Sequence, residues 1–269
     1  MTDGRTLGLL GGTFDPIHYG HLDAADAAAA ALALDEVHFI PAHDPPHRPV
    51  DPHAAPFHRF ALASLAVNDR PRCRVSDIEL AREGPSFTID TLRALHAEGW
   101  EPWQLFFIIG TDAFAEIASW RAFPSVLDAA HFVVIARPGM TVDMAVARTP
   151  ELRPRACLAS ESGRLKPAST DTRLGRLEPA QGTDTRGGRL EPAQGTDTHG
   201  GWLQPAHETR ILLVEAHTRD VSSTLIRQRL AAGQPIDDLV PAPVARHILA
   251  HHLYGAVDTL HGKDERARK

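Results

Sequence analysis

Residues 11–21 read GGTFDPIHYGH, with His18 and His21 three apart, and residues 221–227 read VSSTLIR. Both stretches have the makings of an anion site. Glycines let the backbone turn tightly and bring amide N–H groups close to a ligand. The partial positive charge at a helix N-terminus suits a phosphate. Two imidazoles at i and i+3 share a helix face. Imidazole protonates near neutral pH, so the pair can donate to phosphoryl oxygens as negative charge builds up. Asp15, ahead of Pro16, is expected to cap the turn. A lone histidine at a helix start is more often a surface or capping residue, but the pair inside this glycine turn reads as a ligand site. Ser222, Ser223 and Thr224 offer hydroxyls and free amides at a second helix start, and Arg227 adds a guanidinium one turn later. Taken alone, that is only a capped helix with an exposed arginine. On one sheet edge with the first stretch, it is half of a grip on a ligand with several phosphates.

The elements that must position these residues follow from patterning. Short apolar runs at 6–10, 36–41, 74–77, 104–109 and 131–136 read as strands. Helical patterns at 20–34, 56–67, 88–97 and 113–117 alternate with them. FFII and FVVI are continuously apolar, as strands covered on both faces must be. This alternation predicts an α/β fold, a Rossmann-like doubly wound parallel sheet. In such sheets ligands bind beyond the carboxyl ends of the strands, where GGTFDPIHYGH, HDPPHR and GTDAF all fall. Order resumes near Arg210 with a strand at 211–215 and a helix at 222–232, between a serine and Gly233. A last helix at 244–253 follows Pro241 and Pro243, so a C-terminal helical segment carries SSTLIR. The other histidines, such as His251 and His252, are expected at the surface.

Between these parts the texture changes. Units of 12 or 13 residues begin at Gly163, Gly175, Gly188 and Gly201, as in GRLEPAQGTDTRG. Each offers one leucine against Pro, Gly, Thr and charges, too little apolar surface to offset its ordering entropy. The expectation is one domain from 1–162 and 210–257, a disordered tandem-repeat insertion at 163–209, and a flexible tail at 258–269.

At 43% hydrophobic and 23% charged the chain is globular in composition. A net charge of -6 speaks against a general nucleic-acid grip, which shows as a basic face, while leaving room for a local phosphate pocket. Cys73 and Cys157 lack metal-ligand or redox spacing, which predicts a reducing compartment without a disulfide framework. No apolar run is long enough to span a membrane, and no signal peptide is visible. The expectation is a cytoplasmic protein, homo-oligomeric or not.

Set side by side, GGTFDPIHYGH and VSSTLIR resemble the adenylyltransferases of the nucleotidyltransferase superfamily, with their HxGH and SSTxIR motifs. PPHR at 45–48, PSFTIDTL at 85–92, IGTDAF at 109–114, SW at 119–120, ARPG at 136–139 and LVP at 239–241 narrow the resemblance to the bacterial nicotinate-nucleotide adenylyltransferases. It covers everything but 163–209. It implies transfer of AMP from ATP to nicotinate mononucleotide with release of pyrophosphate, in NAD biosynthesis. On that resemblance His18, His21 and Arg227 are catalytic, and Gly11, Gly12, Thr13, Phe14, His18, His21, Ser222, Ser223, Thr224 and Arg227 bind ATP. The mononucleotide falls to His47, Arg48 and Arg137 near its phosphate, Asp112 at the ribose, Thr88 at the carboxylate, and Phe87 and Trp120 at the pyridine ring. Phe87 stands where the family often has tyrosine, so a hydroxyl is missing there. Trp120 also reads as a core residue and Asp112 as a helix cap. Mg2+ is expected as a bridge between ATP oxygens, without a dedicated carboxylate cage. The rivals are superfamily members acting on nicotinamide mononucleotide or phosphopantetheine, and a non-catalytic nucleotide-binding protein. An aminoacyl-tRNA synthetase-like ligase would need a KMSKS-like lysine loop, which is not visible.

Overall fold

The computed structural model describes residues 4–46, 51–136, 139–161 and 208–256. The expected insertion, apart from Glu208 and Thr209, and the expected tail lie outside the described residues. So do His47, Arg48 and Arg137.

Seven strands form one parallel sheet: β1 (Leu7–Gly12), β2 (Glu36–Pro41), β3 (Cys73–Val75), β4 (Leu105–Gly110), β5 (His131–Ala136), β6 (Ala156–Leu158) and β7 (Ile211–Glu215). Their order is β3-β2-β1-β4-β5-β7-β6, with every neighbouring pair parallel. The helices are α1 (Tyr19–Leu32), α2 (Pro56–Val67), α3 (Thr88–Ala97), α4 (Thr111–Ala115), α5 (Val142–Ala145), α6 (Ser223–Ala231) and α7 (Ala242–Ala250). The doubly wound architecture is as expected from the sequence.

Alternation along the strands explains the apolar runs. Leu105, Phe107 and Ile109 face one core with α3 and α4, while Phe106 and Ile108 face the other with α1, α2, α6 and α7. Phe132 and Val134 alternate with Val133 and Ile135 in the same way. Burying one such side chain contributes roughly 1.5–3 kcal/mol. The sheet therefore has no wet face, and polar chemistry is confined to strand ends. The strand order reverses direction between β1 and β4, so the loops after those strands diverge and leave a crevice.

Several boundaries differ from the sequence reading. Helix α1 begins at Tyr19 and stops at Leu32, because Ala33 turns into the left-handed region at φ 51. Helix α4 begins at Thr111 with Gly110 as N-cap, so Asp112 lies in the first turn rather than at the cap. A 3-10 turn at Ile117–Ser119 takes up the end of that pattern. Strand β3 is shorter than expected at Cys73–Val75, and β6 was not expected at all. Helix α7 starts two residues earlier than expected and ends at Ala250. Thr209, expected in the insertion, is buried and donates its hydroxyl to the Leu127 carbonyl at 2.7 Å. Among the described residues, no helix is long and apolar enough to cross a membrane.

Candidate functional site

The loop after β1 carries the first stretch. Gly11 and Gly12 end the strand, and Phe14 then takes a positive φ of 51. This turns the Phe14 ring into the core, where it meets Phe39 and the edge of the His21 ring at 5.0 Å. Phe14 thus packs against His21. The Asp15-Pro16 peptide is cis. His18 is the N-cap of α1, in extended conformation, so both imidazoles stand at the helix start.

The two rings stack with centroids 3.7 Å apart. The His18 amide donates to His21 Nδ1 at 3.2 Å, which fixes Nδ1 as the acceptor and leaves the proton on Nε2. His18 is only 7% exposed, and its Nδ1 makes no hydrogen bond of standard length among the described residues. Burial pushes its pKa down to about 4, against a smaller upward pull from Asp23. His18 is therefore a neutral, desolvated imidazole near neutral pH. An arriving polyanion would favour its charged form.

Asp15 does not cap the turn. Its carboxylate is fully buried and accepts from the backbone amides of His53 at 2.9 Å and Ala54 at 3.0 Å. Burial raises its pKa, but these amides outweigh that and hold it below the usual carboxylate range. Arg59, 0% exposed, completes the brace. Its guanidinium donates to the carbonyls of Thr13 at 2.7 Å, His43 at 3.1 Å and Ala54 at 3.1 Å. One buried cation thus ties the loop after β1 to the loop after β2. Three carbonyls aimed at one guanidinium offset the cost of burying it.

The second stretch sits directly against the first. Ser222 caps α6, its Oγ accepting from the Leu225 amide at 3.1 Å. The Ser223 hydroxyl donates to the Pro16 carbonyl at 2.9 Å. Arg227 donates to the Asp15 carbonyl at 2.6 Å and to the Thr224 hydroxyl at 3.2 Å. The structure therefore joins His18 and His21 with Ser222, Ser223, Thr224 and Arg227 at the carboxyl edge of the sheet. Imidazole, hydroxyl, amide and guanidinium are donors to an anion. Among the described residues no group of three His, Cys, Asp or Glu side chains is arranged to hold a metal ion.

Across the crevice, a shallow cleft of about 30 Å³ is lined by Ser86, Phe87, Thr88, Trp120 and Arg121. Trp120 meets Phe107 edge-on at 5.9 Å, so it is both anchored in the core and present at the cleft. The Arg121 guanidinium lies 4.6 Å from the Phe87 ring centroid. Thr88 opens α3, and Asp112 is exposed on α4 beyond β4. Behind the cleft, Glu79 accepts from the Thr91 hydroxyl at 2.6 Å, and the Ser86 hydroxyl accepts from the His43 amide at 2.9 Å. Burial raises the Glu79 pKa. Sequence reasoning missed Arg59, Arg121 and Glu79. Arg121 had a signal in its place beside the Ser119-Trp120 pair, whereas Arg59 looked like one more arginine on a helix.

Residues 9–229 match the family model described as cytidylyltransferase-like. A protein of Roseiflexus sp. strain RS-1, named a probable nicotinate-nucleotide adenylyltransferase, is 37% identical over 92% of this chain and 97% of its own. The protein of that name from Symbiobacterium thermophilum is 36% identical over 92% and 94%. The structure of a Plasmodium falciparum nicotinic acid mononucleotide adenylyltransferase complexed with NaAD shares the fold, at TM-score 0.60 and 14% identity over 94% of this chain and 98% of that one.

Proposed function

The chain belongs to the nicotinate-nucleotide adenylyltransferase family, and on that premise we propose that it transfers the adenylyl group of ATP to nicotinate mononucleotide. A phosphate oxygen of the mononucleotide attacks the α-phosphorus of ATP. The bond from that phosphorus to the bridging oxygen breaks, and pyrophosphate leaves with the electron pair. The products are nicotinate adenine dinucleotide and pyrophosphate. The substrate supplies its own nucleophile, so the protein's task is positioning and charge stabilisation.

The observation that carries this reading is the cross-braced pair of helix starts, α1 and α6, facing a crevice with an aromatic cleft on its other side. His18 and His21 hold the triphosphate and meet the charge that grows on the departing oxygens. Ser222, Ser223, Thr224 and Arg227 hold the phosphates that leave as pyrophosphate. Mg2+ bound to ATP would neutralise part of the triphosphate charge, leaving the imidazoles, hydroxyls and guanidinium to hold the anion that carries it. On the other side, Trp120 and Phe87 cover the pyridine ring while Thr88 and the Arg121 cation meet its carboxylate. Asp112 serves the ribose, and His47, Arg48 and Arg137 serve the mononucleotide phosphate.

The test is substrate preference. With ATP and Mg2+, pyrophosphate release is expected to be much faster with nicotinate mononucleotide than with the amide form. Equal rates would overturn the acid preference, and no release with either would overturn the reaction.

A further inference from the structure

The loop from Ala216 to Ser222 joins β7 to α6 and so sets where the SSTLIR residues stand. Midway along it, Arg219 is tied to α1 by three hydrogen bonds to one carboxylate. Its backbone amide and Nε reach Asp23 Oδ2 at 2.9 and 3.0 Å, and its Nη2 reaches Asp23 Oδ1 at 2.7 Å. The same guanidinium lies 3.8 Å over the ring of Tyr19, the residue between His18 and Gly20. Within the loop, the Arg219 carbonyl accepts from the Val221 amide at 2.9 Å, immediately before the N-cap serine.

Gly20 makes this approach feasible. A Cβ there would come within 3.1 Å of His18 Nδ1 and 3.3 Å of the Arg219 carbonyl oxygen. The loop therefore touches the first turn of α1 by backbone as well as by side chain. Bidentate, charge-assisted contacts with an added cation–π face hold a geometry better than a lone surface ion pair. The hydrogen bonds from Arg219 are also the main reason the Asp23 carboxyl sits below its usual range.

Resting on the adenylyltransferase reading above, we infer that Arg219 and Asp23 are a positioning pair for ATP, latching the SSTLIR arm to the HxGH arm so that both reach one triphosphate. Neither side chain is itself a catalytic residue. The two arms are already joined on the Asp15–Pro16 side by Ser223 and Arg227. The Arg219 latch closes the opposite side, at the first turn of α1. Without it, Ser222 and the amides behind it can drift from the imidazoles, while the mononucleotide cleft across the crevice is untouched.

The experiment is steady-state kinetics on the full-length chain with both substrates varied, for wild type, Arg219→Ala, Arg219→Lys, Asp23→Asn, Asp23→Ala and Arg219→Ala/Asp23→Ala. Thermal melting of each variant checks folding. For Arg219→Ala we expect the KM for ATP to rise about tenfold, with the KM for nicotinate mononucleotide within twofold of wild type. Arg219→Lys, which keeps the charge but loses the fork, should recover part of the difference. The double variant should be scarcely worse than Asp23→Ala, because losing the carboxylate already removes all three hydrogen bonds, that from the Arg219 amide included. An unchanged KM for ATP, an equal rise for both substrates, or additive effects of Arg219→Ala and Asp23→Ala would each overturn the inference. Should Arg219→Ala fail to fold, Asp23→Asn and Arg219→Lys decide by the same KM comparison. A wild-type chain that releases no pyrophosphate would instead refute the underlying reaction, so the two failures are distinguishable.

Discussion

At the carboxyl ends of β1, β2 and β7, the loops are fastened to one another by short, partly or fully buried hydrogen bonds, through Asp15 and Arg59 on the β2 side and Ser223 and Arg227 on the β7 side. At the end of β4, the residues expected around the pyridine ring rest on packing between partly exposed side chains, with Arg121 stacked on Phe87 and Trp120 leaning on Phe107. The difference matches what each end must do. A transferring phosphoryl group gains from donors already in place, because reorganisation during the reaction would cost part of the stabilisation. Recognition of a flat ring needs a surface that can close on it, and stacking tolerates small shifts. Loss of a donor that meets the transferring phosphoryl group is therefore expected to appear in turnover, and loss at the ring end in affinity for the mononucleotide.

The largest effect should come from His18. Its substitution by alanine is expected to reduce kcat by about 10²–10³-fold, on the scale of losing one preorganised transition-state donor. Melting should change little, since the His18 imidazole Nδ1 makes no hydrogen bond of standard length and alanine keeps the backbone amide that donates to His21. Unchanged turnover would remove His18 from the phosphate end. The same residue carries a pH signature. Burial lowers its pKa to about 4 in the folded protein, whereas the unfolded chain takes up that proton near 6.5. Between those values the unfolded state binds more protons, so this residue's share of stability is full above pH 6.5 and is lost as pH falls toward 4. Bound triphosphate should raise the His18 pKa, and histidine NMR titration with and without ATP checks the shift.

What was legible in the sequence follows the same division. GGTFDPIHYGH and SSTLIR could be read because helix caps, glycine turns and imidazole spacing are local, and the structure brings the two stretches together. The bounds of α2 and α3 and of β2, β5 and β7 agree with their patterns, because stop and start signals flank them. Strand β6 was missed because three residues at the sheet edge carry no periodicity. Arg59 was missed because two of its three acceptors, Thr13 and His43, lie 46 and 16 residues away. Asp15 is expected from the sequence to cap the turn, but its carboxylate goes instead to the amides of His53 and Ala54, which approach it only in the folded chain. Residue types announce donors to a phosphate, whereas the groups that hold those donors still are defined by long-range contact.

The ring end should respond differently. Trp120→Ala is expected to raise the KM for nicotinate mononucleotide by roughly fivefold to 150-fold, the equivalent of one lost stacking contact of about 1–3 kcal/mol. The KM for ATP should stay within about twofold, and Trp120→Phe should lie between. A parallel rise in both KM values would mean that Trp120 supports the whole crevice through Phe107 and Phe132. The contrast between the two ends would then fail.

The smallest effect is expected from residues 163–207, and it depends on how they are removed. Strands β6 and β7 are parallel neighbours, with Ala156 beside Ile211 and Leu158 beside Leu213. The chain that leaves the carboxyl end of β6 must therefore return to the amino end of β7, and such crossovers take about a dozen residues or more. Glu208 and Thr209 must stay, because the buried Thr209 hydroxyl donates to Leu127 and accepts from Arg155 at 2.7 Å. Replacing 163–207 with a Gly-Ser linker of about twelve residues should leave kcat and both KM values within about twofold. Splicing 162 directly to 208 should instead strain the β6 edge and lower the melting temperature. If the linker variant keeps its melting temperature but loses ATP turnover, the repeat acts on the phosphate end. That end would then not be self-sufficient in the braces that Asp15, Arg59 and Arg227 supply.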